Sequence, residues 1–533
     1  MAQQPNDGSG RAPVAIVRPT TSVTSGVAVT QKLVSAAVAF GNLLKGTYGP
    51  NGLDKMLYKT NGETAVTNDG AKIVAELLVK HPAAKAFVQL AESQENACGD
   101  GVTGCIIFAS ELMRQSGVLL EKSLHPLVLV KGYQAAMNQT IAIWEENSHS
   151  VTLSDDAKLR SVALTAMTGT AVEPVGEYLA ELVVSAVQHV ARRIDEQWLV
   201  NTETVRMAKK GTGSLSDTSL IKGIIFDKDL DLEKLPRKLS AGKVVVLSCP
   251  LEIEKTSYEA EIEISTTEQW SAFMAAEENI LKHKAQQIIN SGAKLVFCAE
   301  TVDARIMHQL ADNGICVLAS VDKAGAEDVA LATGALLIDH VDSIDEQTLG
   351  KFESMRVETF DSVEGLRDRL YLHVGDDSGL TTIDVCGGGG ATSEEFVRGL
   401  YDALNSVAKA VETGFVSCGG GNQHITAALG IREYAESIAG RERLAIEGFA
   451  RALESIPTTL IANAGNNMLD GLLELRSLIR LGKQASGIDA TGKAAELDEV
   501  WECSTTALHA LEAACETACG LLRVDQVISA RGD

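Results

Sequence analysis

The chain has 533 residues, with 47 Lys and Arg against 71 Asp and Glu, for a formal net charge of −24. This balance argues against nucleic acid as the main partner, because a phosphate backbone needs concentrated Lys and Arg. At 45% hydrophobic and 4% aromatic, the chain supports a mostly aliphatic core over about three or four domains, and no apolar run reaches the ~18–20 residues that span a bilayer.

Residues 1–26 are polar, rich in Gly, Ser, Thr, Gln and Pro, and lack the apolar segment of a signal peptide, so a flexible tail is expected. Helical spacing of Val29, Leu33, Ala36, Ala37, Phe40 and Leu44 predicts a helix over 27–44. The run from Gly46 to Gly52, with Pro50 inside it, stops that helix. Strands are expected on either side of Asn61-Gly62. Thr67-Asn68-Asp69-Gly70 then leads into a helix through Ile73, Val74, Leu77 and Leu78. A further helix over 84–96 runs into Gly99-Asp100-Gly101-Val102-Thr103-Gly104, and residues 105–148 read as helical with a break at His125-Pro126.

From Gly242 the pattern alternates strand and helix. Strands are predicted at 244–247, 261–264, 294–297, 315–318 and 336–338. Helices are predicted after Thr266 and Gln269, which form a capping box, and near 304–310 and 324–333. This alternation indicates an α/β domain. Strands at 371–374 and 381–385 follow, then a helix over 393–413 with Phe396, Leu400, Leu404, Val407 and Val411 on one stripe. Gly419-Gly420-Gly421 makes another glycine turn, and the last hundred residues read as helical and alanine-rich. The two ends share one character and the middle is inserted between them. Ten scattered cysteines form no Cys-x-x-Cys pair and read as reduced thiols of a cytosolic protein.

A loop of small residues entering a helix offers free backbone N–H groups and the positive end of a helix dipole. Gly99–Gly104 has that form. Asp100 within it would repel phosphate but can share a Mg²⁺ with it. Alone, the stretch reads more readily as an ordinary glycine turn than as a phosphate site.

The motifs TYGPNGLDKML (47–57), TNDGA (67–71), HPAAK (81–85), GDGVTG (99–104), YDALN (401–405), GGG (419–421), GRERLAIEGFARALESIP (440–457) and LLRVDQVI (521–528) occur together. In this order they resemble the group II chaperonins, the family of the archaeal thermosome and the eukaryotic cytosolic chaperonin TRiC/CCT. The likeness covers residues 27–530. Stretches such as Ser248-Cys249-Pro250-Leu251-Glu252-Ile253 are most like the theta-type subunits.

The resemblance implies the chaperonin fold, multidomain α and α/β. A helical equatorial ATPase domain would comprise 27–138 and 414–533. A small α+β intermediate domain would comprise 139–212 and 366–413. An α/β apical domain would comprise 213–365, with a helical lid protrusion near 256–278. It implies ATP or ADP and Mg²⁺ as ligands. It also implies a cytoplasmic, hetero-oligomeric double ring of eight-membered rings, with clients such as non-native actin and tubulin. No nucleic-acid or membrane partner is expected.

By resemblance, Asp100 is the metal ligand, while Gly101, Val102, Thr103 and Gly104 cradle phosphate. Tyr48, Gly49 and Pro50 pass beside the nucleotide, Met167 and Thr168 belong to a sensing loop, and Gly420, Gly421 and Glu502 lie near the nucleoside. Asp69 and Asp402 are the catalytic aspartates. Each has a plainer alternative: Asp69 as a helix cap, and Asp402 as the ion-pair partner of Arg398 one turn earlier. Val102, Gly104 and Thr170 depart from the family pattern of three threonines and a lysine. They keep open the alternative of a largely structural ring subunit with weak ATPase.

Overall fold

The computed structural model describes residues 22–58, 62, 64–77, 79, 81–253, 266–362 and 365–529. The first core is helical and draws on both ends of the chain. Helices Val27–Lys45, Pro82–Cys98, Val102–Glu121 and Pro126–Glu146 pack with Asn422–Glu436, Glu442–Leu453 and Ser504–Leu522. Leu33, Phe87, Ile106, Tyr133, Phe449 and Leu511 are buried at their shared interface. Proline sets two of these starts: His81 and His125 each accept an N–H at the cap, and Pro82 and Pro126 follow with φ already helical.

The ends of the chain also pair directly. Ser22–Ser25 lies antiparallel to Gln526–Ser529, with Ser22 opposite Ser529. Residues 22–25, expected within the tail, are therefore a strand, because a partner strand satisfies their backbone. The helix after Asp69 is Gly70–Ala75, shorter than its apolar spacing suggested. Leu77 packs against the helical core from the connection beyond it, and Leu78 lies outside the described residues.

The middle of the chain forms a seven-stranded sheet. Its order runs Cys316–Leu318, Ala293–Cys298, Lys238–Leu247, Gly350–Ser362, Gly365–His373 and Gly223–Asp227, with Leu337–Ile338 also on Lys238–Leu247. The pairings of Lys238–Leu247 with Ala293–Cys298 and Leu337–Ile338 are parallel, and that with Gly350–Ser362 is antiparallel. Continuous apolar runs such as Val244-Val245-Val246-Leu247 are buried there, as strands covered on both faces require. Helix Thr267–Asn290 begins where expected, with the Thr266 hydroxyl accepting the Gln269 N–H at 3.2 Å. The strand expected at 261–264 and part of the protrusion lie outside the described residues. The sheet also takes in residues 365–373, past the boundary expected at 365.

A third core joins helices Asp156–Met167, Gly176–Val190 and Ala391–Thr413 to a three-stranded sheet of Val205–Lys209, Thr381–Val385 and Ser219–Ile221. Leu400, Leu404 and Val407 of the long helix are fully buried in it. No helix of the described residues is long and apolar enough to cross a membrane.

Candidate functional site

The helical core and the third core meet at a cavity of about 690 Å³. Its floor is the turn between helices Pro82–Cys98 and Val102–Glu121. Gly99 ends the first in the left-handed region, at φ 64°, and Gly101 opens the second at φ 83°. A side chain at Gly99 would also strike Asn405, 2.2 Å from Nδ2, so glycine is required there on two counts. The first N–H of the Val102 helix to find an acceptor within it is that of Cys105, on Gly101 O at 3.0 Å. The amides of Val102, Thr103 and Gly104 precede it and have no partner inside the helix. All three residues line the cavity.

Asp100 is fixed from two directions. Its Oδ1 accepts the Gly101 N–H at 2.5 Å and its Oδ2 accepts the Ser406 hydroxyl at 2.6 Å. Gln94 holds the Asp100 carbonyl at 2.9 Å. Asp69 caps helix Gly70–Ala75 by accepting from the Ala71 and Lys72 N–H groups at 2.8 and 3.3 Å. That helix start rests against Thr103: a Cβ on Gly70 would lie 2.4 Å from Thr103 Oγ1. Asp402 enters from helix Ala391–Thr413, off the buried stripe. Three aspartates from three separate segments thus share one cavity.

The ion pair weighed for Asp402 goes elsewhere. Arg398 Nη1 donates to Asp69 Oδ2 at 2.8 Å, with its Nε 3.8 Å from Glu395 Oε1. Glu395 in turn accepts from Lys72 Nζ at 2.6 Å and from the Thr67 hydroxyl at 2.8 Å. The long helix is thereby latched to the segment around Asp69. The Asp402 carboxyl opens onto the cavity rather than bulk water. Burial first, then repulsion from Asp100, Asp69 and Glu95, holds its proton affinity well above the ordinary carboxylate range. Burial also raises Asp100, against the pull of its two hydrogen bonds. Burial and the neighbouring aspartates push Glu95 to about 6. The cavity therefore crowds more acidic side chains together than its cationic ones can offset.

Tyr48 lies over Gly104, where a Cβ would meet its ring and hydroxyl at 3.5 Å. Gly49 and Pro50 line the wall and back onto Gly169. The Gly169 carbonyl accepts from the Asn68 amide. Thr168 lines the cavity too, but Met167 is the last residue of its helix and is buried in the third core at 1% exposure. At the other end, Gly420 and Glu502 form the wall. Burial, then repulsion from Asp100, pushes Glu502 to about 7. Gly421 turns away and packs on Pro457. Val102 contributes backbone, its side chain being buried in the helical core. The Thr170 hydroxyl donates to Met167 O at 2.6 Å.

Ser406 and Glu95 belong to the site without a motif to mark them, and Asn68 belongs to it from within TNDGA, where only Asp69 carries an assigned role. Ser406 follows Asp402 by four positions, so helical spacing alone puts both on one face.

Among the described residues, no three His, Cys, Asp or Glu side chains converge as a ready-made metal cluster. Mg²⁺ is commonly held by one or two carboxylates with phosphate oxygens and water. Asp100, ordered by two hydrogen bonds and surrounded by uncompensated carboxylates, has the chemistry for such a ligand.

A helical base built from both chain ends, an α/β insertion and a bridging layer define the class of multidomain chaperonin folds. Residues 40–532 match the TCP-1/cpn60 chaperonin family, and the chain belongs to that family, on the group II side with the thermosome subunits. A thermosome subunit of Methanopyrus kandleri is 38% identical over 502 residues, covering 93% of this chain and 91% of the relative. The thermosome beta subunit of Archaeoglobus fulgidus is 36% identical, with 98% and 95% covered. The alpha subunit of Thermoplasma acidophilum is 34% identical, also with 98% and 95% covered.

Proposed function

We propose that the chain is an ATP-hydrolysing subunit of a double-ring chaperonin that binds non-native protein and encloses it in a chamber. The observation that carries this reading is the convergence of Asp69, Asp100 and Asp402 beside the unpaired amides of Val102, Thr103 and Gly104. Those amides and the helix dipole suit phosphate. Asp100, oriented by Ser406 and Gly101, would hold Mg²⁺, which when bound neutralises phosphate charge. Asp402 and Asp69 would orient the attacking water, with Asp402 taking its proton. Tyr48, Gly49, Pro50, Thr168, Gly420 and Glu502 would flank the nucleotide, while Met167 and Gly421 would act through the backbone around them.

On this reading residues 27–138 and 414–533 are the equatorial domain, 139–212 and 366–413 the intermediate domain, and 213–365 the apical domain, except that strand Gly365–His373 goes with the apical sheet. Because Asp402 sits on the long helix of the third core, movement of that core would couple hydrolysis to shape. The finer assignment is a theta-type subunit of a cytoplasmic hetero-oligomeric ring of eight, with actin- and tubulin-like clients. It rests on the sequence stretches quoted above.

A second reading, a mainly structural subunit with weak turnover, draws on Thr170 and Val102. The Thr170 hydroxyl is occupied by Met167 O and the Val102 side chain is buried, so neither presents a free polar side chain to phosphate.

The test is Mg²⁺-dependent ATP turnover by the native particle, with its mass and subunits identified. A small, inactive species overturns the main reading. A ring that retains its original nucleotide through a chase favours the second.

A further inference from the structure

Arg398 is the one Lys or Arg side chain among the described residues of the cavity wall. Burial lowers the proton affinity of His424, also in the wall, to about 4, which leaves it neutral near pH 7. The cavity's many acidic side chains therefore face a single fixed cation, and that cation is only partly used. Nη1 donates to Asp69 Oδ2 at 2.8 Å. Nε is buried without a hydrogen-bond partner, and Glu395 Oε1 stands 3.8 Å from it. Nη2 donates to no described residue. Glu395 is already engaged by Lys72 and Thr67.

Position says which part of a ligand this guanidinium would meet. Asp69 caps the helix whose first residue, Gly70, packs on Thr103, beside the free amides of the Val102 helix. Arg398 is thus beside the segment that packs on the phosphate-binding turn. It is also one helical turn from Asp402. A guanidinium presents parallel N–H groups that match two oxygens of a phosphate.

We propose that Arg398 contacts the terminal phosphate of a nucleoside triphosphate in this cavity, with Asp69 holding its Nη1 edge, and so sets the preference for triphosphate over diphosphate. This rests on the nucleotide-binding reading above. The competing role is a strut that only docks helix Ala391–Thr413 onto the Asp69 segment. A strut affects both nucleotides alike, whereas a terminal-phosphate contact acts on the triphosphate alone.

The experiment uses the assembled full-length protein with Mg²⁺. Affinities for ADP and for a non-hydrolysable β,γ-imido ATP analogue are measured for the native chain, Arg398→Gln and Arg398→Lys, each with a melting curve. Loss of a charge-assisted contact lowers triphosphate affinity by about tenfold or more. ADP affinity should stay within about threefold, and Arg398→Lys should fall between native and Arg398→Gln. If Arg398→Gln leaves the ratio of the two affinities unchanged, whether both fall or both hold, the inference is overturned while nucleotide binding stands. If the native chain binds neither nucleotide, both readings fall together. Arg398→Lys keeps the charge, so a loss confined to Arg398→Gln that accompanies a lowered melting point but affects both nucleotides equally identifies the strut.

Discussion

Arg398 Nη1 and Asp69 Oδ2 lie 2.8 Å apart although 329 positions separate them in sequence. The contact joins the long helix of the third core to the start of helix Gly70–Ala75 in the cavity wall. Asp69 performs two tasks at once, pairing with Arg398 and capping helix Gly70–Ala75. Asparagine caps nearly as well as aspartate and alanine does not. Asp69→Ala should therefore be about 1 kcal/mol less stable than Asp69→Asn, while both lose ATP turnover to a similar degree. Denaturant unfolding beside a turnover assay reads this directly, and equal stabilities would remove the capping role.

Asp402 is the carboxyl whose removal should separate binding from chemistry. It caps nothing and has no hydrogen bond or ion pair to Arg398. Asp402→Ala is expected to bind ATP within a few-fold of the native chain and to lose about 10²–10⁴ in turnover, the range of a general base. Normal hydrolysis by that variant would show that another group activates the water.

Ser406 acts through Asp100. Its hydroxyl donates to Asp100 Oδ2 at 2.6 Å, and outer-shell partners of this kind alter metal affinity by about 10–100-fold. Ser406→Ala should raise the Mg²⁺ concentration for half-maximal turnover by about tenfold, and Ser406→Thr, which keeps the hydroxyl, should restore most of it. An unchanged Mg²⁺ requirement in Ser406→Ala would reduce the serine to packing.

Glu502 gives the site a pH signature. Burial and Asp100 raise its folded pKa from 4.5 to about 7. The folded state then binds this proton more tightly than the unfolded chain. Stability is highest below the unfolded value and falls as pH rises through about 7. Glu502→Gln removes that loss. It should be more stable than the native chain at pH 8, by up to about 3 kcal/mol before cavity water screens the charge, and should converge with it below pH ~4.5. Melting curves across pH 4–8 would contradict this if the two proteins ran parallel.

Much of the scaffold was legible because its signals are local. The break at His125-Pro126 falls where one helix ends and the next begins, the helix expected over 84–96 starts two residues earlier, at Pro82, and Val244–Leu247 is a buried strand on composition alone. The hairpin Gly350–Ser362 with Gly365–His373 was largely invisible. Phe352, Met355 and Val357 are buried there, but their alternation is broken and charged residues such as Glu353, Arg356 and Glu358 intervene. The motif residues mostly converge on one cavity. Their pairing is a different matter: helical spacing offered Arg398 to Asp402, and tertiary structure gave it to Asp69. Spacing along one helix cannot register a competitor supplied by another segment.

The joint between the two sheets supplies a last, sharper case of that rule. Arg369 is fully buried and opposite Asp227 in the seven-stranded sheet. Its Nη2 donates to Asp227 Oδ2 and to Lys209 O, each at 2.6 Å, and its Nε also donates to Asp227. Its Nη1 donates to Asp384 Oδ1 at 2.6 Å, in the three-stranded sheet, and Asp384 Oδ2 accepts from the Tyr371 hydroxyl at 2.9 Å. One guanidinium thus ties strands of both sheets, and removing it strands the buried Asp384 carboxylate without a counter-charge, while Asp227 is 48% exposed and stays solvated. Arg369→Met should destabilise by about 3–5 kcal/mol. Much of that cost is the unpaired charge rather than the lost bonds, so combining Arg369→Met with Asp227→Asn and Asp384→Asn should recover part of it. Chemical denaturation of the single and triple variants measures both terms. If the triple variant is less stable than Arg369→Met, the hydrogen bonds outweigh the stranded charge, and the sheets are joined by geometry more than by electrostatic balance.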